Sequence, residues 1–167
     1  MRLMNRLFTA VLPILFLLPT DLVFAQTQPS LAQRLGYPAD AKLLIVHADD
    51  LALAHSENQA TFNAMNTGVV NSASIMVPCP WLPEVSAYAK ANPQRDLGLH
   101  LTLTSEWHHF KWAPVSDGDG TAGLTDSSGY LYDNCADFAA HASPEAVEQE
   151  LRAQIEKAKS LGIQPTH

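Results

Sequence analysis

The sequence predicts an α/β fold organised on a parallel sheet, and three observations carry that expectation. Short apolar runs of strand length alternate with segments of helical period, in the order strand, helix, strand, helix, strand, long loop, helix, start of a strand. The helical segments are bracketed by cap and breaker residues such as Ser56, Gly68, Ser143 and Gly162. Polar residues collect near strand ends, at Asp49-Asp50 and at His100, which is where parallel sheets build their sites. Helical connections between parallel strands imply right-handed crossovers.

Residues 1–25 read as a secretory signal peptide. Arg2 and Arg6 give a positive start, Leu7 to Leu18 is almost wholly apolar, and Val23-Phe24-Ala25 offers small residues for cleavage. The apolar stretch is too short for a membrane span, although an uncleaved anchor is the competing reading. Gln26, not a cysteine, stands directly after Ala25, which argues against a lipoprotein anchor. The expected location is periplasmic or secreted. Residues 26–41 read as an N-terminal linker, polar from Gln26 to Ser30, with a short helix from Leu31 to Leu35 ended by Gly36 and Pro38.

The domain is expected over residues 42–167. Its first strand runs from Lys42 to Ala48 as a buried apolar run. A polar loop, Asp49 to Ser56, leads to a helix with Ser56 as N-cap and Ala60, Phe62, Ala64 and Met65 on one rough face. Gly68 sits where a C′ residue belongs. A second strand, Val69 to Val77, is stopped by Pro78 and Pro80. Pro83 suits the first turn of a helix from Glu84 to Ala91. The third strand, Leu97 to Leu103, contains His100. Thr104 to Ser143 has no strong period, and loops of that length are usually functional or mobile. The last helix has Ser143 as N-cap, Pro144 at N1, acids early and lysines late, with Val147, Leu151, Ile155, Ala158 and Leu161 as its apolar stripe. Ile163 to His167 reads as the approach to a fourth strand. A domain stopping there is expected to be C-terminally truncated, and such a fragment alone is expected to be inactive, with open strand edges.

The formal charge is −7 over 167 residues; loss of residues 1–25 removes two arginines and one aspartate and leaves −8. That balance favours neither nucleic acid nor an anionic membrane. Cys79 and Cys135 could pair in an exported chain, but their spacing leaves this open.

Asp49 and Asp50 are adjacent anions at a strand end and call for a cation or a shared proton. Asp50 with His100 offers oxygen and imidazole nitrogen, a donor set suited to Zn²⁺, Mn²⁺, Fe²⁺, Co²⁺ or Ni²⁺ and less typically to Mg²⁺. A catalytic site usually has three protein ligands and an open position, so a third is missing from this pair. Asp49 is then free to act as general base. From the residues alone the Asp pair is as readily a solvated turn, and a lone His in an apolar strand is more often a hydrogen-bonded core residue than a ligand. Trp107, His108, His109 and Trp112 could line a sugar site, and Asn58 could bind substrate or cap its helix. Trp81 reads as packing. Asp117-Gly118-Asp119-Gly120 lacks Gly at the sixth position and an acid at the twelfth of a calcium loop, and reads as a turn.

Several blocks in order resemble one family. Leu44-Ile45-Val46-His47-Ala48-Asp49-Asp50-Leu51, with Asn58 beyond it, resembles the opening motif of the YdjC-like (ChbG/HpnK) carbohydrate deacetylases. Gly68 to Val77 is similar to that family's second strand and Asp96 to Leu103 to its third. Leu124 to Tyr132 is similar to its loop before the long helix, and Gly162 to His167 to the lead into its next metal motif. The resemblance implies a distorted (β/α) barrel that removes acetyl groups from N-acetylated amino sugars with one divalent metal, Mg²⁺ or Zn²⁺. It implies Asp50 and His100 as ligands and Asp49 as catalytic base, with the remaining ligand beyond His167, which is not itself the ligand. It implies an N-acetylated carbohydrate as partner and leaves a homodimer open. The sequence departs from the family at Leu51, usually aromatic, and at Ala52, usually Gly. Ala does not easily take positive φ, so the loop behind Asp50 is expected to differ. An export signal is also unusual, which bears on the substrate more than the chemistry. A metal-dependent phosphoesterase and a non-catalytic sugar-binding protein are the alternatives; a second close metal or the lack of any would mark them.

Overall fold

A computed structural model describes residues 28–167; the expected signal peptide lies outside the described residues. The chain divides into a unit ending at Leu43 and a unit from Leu44 to His167. In the first, the short helix α1 (Leu31–Arg34) forms where expected. Ser30 accepts from the Gln33 amide while the Gln33 side chain returns to the Ser30 amide, a capping box.

The second unit is built on three parallel strands in the order β1 (His47–Leu51), β2 (Ser72–Ile75) and β3 (Leu97–Leu99). Helix α2 (His55–Thr67) joins β1 to β2, and α3 (Leu82–Ala91) joins β2 to β3. β2 is central, and all four of its residues are buried. Phe62 of α2 and Tyr88 of α3 stack with ring centres 3.9 Å apart. Leu51, Met65, Ile75, Val85 and Leu97 fill the core beneath. Gly68 ends α2 in the left-handed region at φ 78°, as its position predicts.

A 3-10 turn (Gly118–Thr121), α4 (Cys135–His141) and α5 (Pro144–Ser160) follow β3. The Asp117-Gly118-Asp119-Gly120 stretch thus folds as a turn. α4 went unseen in the sequence, because its seven residues bury none of their number and so show no apolar period. α5 starts as expected, with Ser143 accepting from the Ala146 amide. Beyond Gly162 the chain lies along β3 in the same direction. The Thr166 amide bonds the Leu97 carbonyl and the Leu99 amide bonds the His167 carbonyl, each at 2.9 Å.

Five expectations change. The second strand is confined to Ser72–Ile75, and Val69, at the start of the expected run, is exposed. The first strand falls at His47–Leu51 instead of Lys42 to Ala48, and Leu44 and Ile45 are 78% and 75% exposed. Among the described residues β1 lies at the edge of the sheet, and the apolar run leading into it has no neighbour there to bury it. The third strand is shorter, and His100 lies just past its end. Ala54, not Ser56, is the N-cap of α2, and no side chain caps there. On α5 the fully buried stripe is Ala146, Glu150, Gln154 and Ala158, while Val147, Leu151 and Ile155 are only half-buried. The cause is hydrogen bonding. Glu150 accepts from the amides of Val115 and Ser116, the Ser116 hydroxyl and the Gln154 amide. Gln154 pairs with both the N–H and the C=O of Thr102. A buried polar group satisfied this fully has a low net cost of burial.

The long loop is pinned as well. Trp112 is buried, donates its indole N–H to the Thr104 carbonyl, and has its amide held by the Ser105 hydroxyl. The Gly/Ser-rich tract closes into a turn in which Asp126 accepts from the amides of Ser128 and Tyr130. Cys79 is buried, Cys135 is exposed, and both are free thiols.

Candidate active site

The two carboxylates sit on a bulge. Ala48 pairs with Ala73 and Leu51 with Ile75, so β1 advances three residues while β2 advances two. The extra residue falls at Asp49-Asp50. Bulges of this kind re-aim side chains and recur beside active sites. Asp50 takes φ 59°, in the left-handed region that aspartate tolerates better than most residues. Ala52 takes φ 79° two residues later. Alanine here thus takes the positive φ that glycine would take freely.

Other contacts hold that turn. The buried Asn58 accepts from the Ala52 amide at 2.8 Å and donates to the Trp81 carbonyl and the Glu84 carboxylate. The Trp81 amide bonds the Ala52 carbonyl and the Met76 amide bonds the Leu51 carbonyl. Asn58 is thus committed beneath the loop, inside α2 rather than at its cap. Glu84 also takes hydrogen bonds from Gln59 and His55. The bond from Asn58, with those from Gln59 and His55, holds the Glu84 carboxyl below its ordinary value against a smaller effect of burial.

The bulge and the end of β3 bring Asp50 and His100 together. Asp50 Oδ1 lies 3.0 Å from His100 Nδ1, yet that nitrogen, shielded from solvent, has no hydrogen-bond partner among the described residues. The separation is short, but the approach is not that of a donated proton. Two lone-pair donors beside a common ion, each about 2.0–2.2 Å from it, lie about 3 Å from one another. The orphaned nitrogen and adjacent carboxylate therefore fit a divalent cation. Among the described residues no group of three or more His, Cys, Asp or Glu is arranged to hold a metal ion.

Electrostatics point the same way. Burial raises the Asp50 carboxyl above its ordinary value; His100 opposes this, while Asp49, Glu106 and Glu57 add to it. Burial, then Asp50 and Glu106, push the Cys79 thiol up to about 12, which leaves it protonated and inert. Glu106 was not singled out in the sequence. It lies in the aperiodic loop, and only folding brings it toward β1.

Trp107 is 46% exposed and free to meet a ligand, whereas Trp112 belongs to the core. His108 and His109 are exposed. Trp81, read as packing, is 42% exposed and lies against the His55 ring at 5.1 Å. His47 bridges two strands, with Nδ1 at 2.9 Å from the Ser72 hydroxyl and Nε2 at 3.0 Å from that of Ser74. The His167 ring packs over Gly98 so closely that a Cβ there has no room.

Comparison with known proteins agrees with the motifs. A family model described as YdjC-like protein matches residues 43–167. A carbohydrate deacetylase of Thermus thermophilus is 37% identical over 137 residues, 82% of this chain and 46% of that protein. One from Brevibacillus brevis is 35% identical, covering 74% of this chain and 46% of its own length. The chain thus spans about half the length of the curated relatives it matches. A crystal structure of an Enterococcus faecalis V583 protein assigned to cellobiose-phosphate cleavage is similar with a TM-score of 0.64 and 28% identity, over 74% of this chain and 46% of that one. With its motifs in order and three-quarters of its length matched, the chain belongs to the YdjC-like family.

Proposed function

We propose that this sheet belongs to a distorted (β/α) barrel, and that the protein is an exported, metal-dependent deacetylase of N-acetylated amino sugars. The observation that carries the reading is the Asp50–His100 pair, with a carboxylate oxygen 3.0 Å from an imidazole nitrogen that has no hydrogen-bond partner among the described residues. Asp49, Glu57 and Glu106 add negative charge around it, which a cation would balance. The relatives' names support the substrate class. Residues 1–25 support export.

Asp50 and His100 would hold the metal, Mg²⁺ or Zn²⁺. Bound there, it would supply Lewis-acid polarisation of the acetamide carbonyl and of water. Asp49, next in the chain and exposed, accepts the proton of the attacking water. The tetrahedral centre then collapses: the C–N bond breaks, the nitrogen takes up the proton that Asp49 received from the water and leaves as the amine, and acetate is the second product. Trp107, exposed and next in the chain to Glu106, offers a flat apolar face for a sugar ring.

The test is acetate release from N-acetylglucosamine oligomers by the full-length protein, with its metal content measured alongside. Asp49→Asn is expected to reduce kcat by about 10²-fold or more, the usual contribution of a general base, while metal content stays unchanged. An Asn variant with full activity would remove Asp49 from the mechanism.

A further inference from the structure

We propose that Asn58 is a positioning residue: its buried side-chain amide locks the positive-φ turn at Ala52 and so sets where the Asp49 and Asp50 carboxylates point. The use of those carboxylates in deacetylation rests on the function proposed above; the positioning does not.

Three observations converge on Asn58. The backbone it holds is unfavourable, because Ala52 is a non-glycine residue at φ 79°. A left-handed L-residue is strained, so some contact must hold it there. The Ala52 amide is fixed by Asn58 Oδ1 at 2.8 Å, inside the protein and away from water. The other end of the same side chain is fixed too, by the Trp81 carbonyl and by Glu84 Oε2 at 2.7 Å. One amide thereby ties the turn after β1 to the turn after β2 and to the first turn of α3.

The helix makes no use of this side chain. Asn58 lies inside α2, and its own amide bonds the Ala54 carbonyl as any helical residue would. Asparagine is a poor helix former, so a tertiary role is needed to offset it. The turn it fixes is the exit of the bulge carrying both aspartates. A residue that supports a ligand in this way, without touching the metal, typically changes affinity by about 10–100-fold.

The experiment uses the full-length protein and three variants: Asn58→Ala, Asn58→Asp and Asn58→Ala combined with Ala52→Gly. Two quantities are read at fixed pH. One is the ¹³C resonance position of the Asp49 and Asp50 carboxyls in metal-free protein. The other is the Kd for Mn²⁺ by calorimetry. Asn58→Ala is expected to move both carboxyl resonances and to weaken Mn²⁺ binding at least tenfold. Asn58→Asp keeps an acceptor for the Ala52 amide and is expected to weaken Mn²⁺ binding less than Asn58→Ala, even where its carboxyl set against Glu84 lowers Tm. Glycine at 52 adopts positive φ freely, so the double variant is expected to recover most of the lost affinity.

A fall in Tm with resonances and Kd unmoved would make Asn58 merely structural and overturn the proposal. So would a double variant no better than Asn58→Ala. Should Asn58→Ala not fold, Asn58→Asp and the double variant decide between the same outcomes. A full-length wild-type protein that binds no Mn²⁺ and releases no acetate would defeat the functional reading instead. The resonance comparison would still test Asn58.

Discussion

At residue 52 the chain keeps a conformation that its side chain disfavours, and this can be measured against a nearby control. Ala52 and Ala73 are both fully buried, one in the turn at φ 79° and the other in β2. Replacing either by glycine loses about 0.8 kcal/mol of methyl burial and about 0.5–1 kcal/mol of backbone entropy. At Ala52 the substitution also relieves about 1–2 kcal/mol of left-handed strain. Ala73→Gly is therefore expected to destabilise by about 1.5 kcal/mol and Ala52→Gly by close to nothing, as read from urea unfolding midpoints. Equal losses would mean that Ala52 carries no strain. The sequence motif marked Asp49, Asp50 and His100 because their chemistry is local to each residue. It did not reveal the bulge or the two positive φ angles, since these depend on how β1 meets β2. Asn58 was legible as a motif residue, but its hydrogen bonds to positions 52, 81 and 84 exist only after folding.

Helix α5 shows the same division at the scale of an element. Its ends were legible from Ser143, Pro144 and Gly162, because caps act within a few residues. Its buried face was not, because apolar period ranks Val147, Leu151 and Ile155 above Glu150 and Gln154. The polar pair is inside because the loop offers it unpaired backbone groups at Thr102, Val115 and Ser116. Thr102 in turn donates its hydroxyl to the His100 carbonyl at 2.8 Å, so α5 braces the backbone of the candidate ligand. Gln154→Ala would leave both backbone groups of Thr102 unpaired in the interior, at about 1–3 kcal/mol for each group. A loss of about 3 kcal/mol in unfolding free energy is expected, whereas Arg152→Ala, which removes an exposed ion pair with Glu148, should cost less than about 0.5 kcal/mol. A Gln154→Ala variant as stable as wild type would show that water replaces the amide.

Over the whole molecule, the parallel order of the sheet was legible from the alternation of strands and helices, because that connectivity admits few arrangements. Strand ends were less so: among the described residues β1 lies at the edge of the sheet, and its apolar lead-in is exposed. The same sheet gathers carboxylates with opposite effects on stability. Asp96, held below its ordinary value chiefly by the Thr166 hydroxyl, and Glu84, held below by Asn58, stabilise the fold above their unfolded values near 3.8 and 4.5. That contribution is lost as pH falls through their lower folded values. Asp50 has the reverse sign. Its folded value is raised, so its stabilisation is present below 3.8 and is lost as pH rises through the folded value. At neutral pH the ionised, metal-free site therefore strains the fold. Asp50→Asn is expected to raise Tm at pH 7 and to leave it unchanged at pH 3, in chelator-treated protein. Adding Mn²⁺ at pH 7 should raise the Tm of the wild type, since a ligand bound only to the folded state stabilises it, and should not raise that of Asp50→Asn. A scanning calorimeter run at both pH values, with and without the ion, reads all four conditions. If Asp50→Asn lowers Tm at pH 7, or if Mn²⁺ stabilises both proteins equally, the carboxylate is no unbalanced charge waiting for a cation. The Asp50–His100 contact would then be an ordinary ion pair.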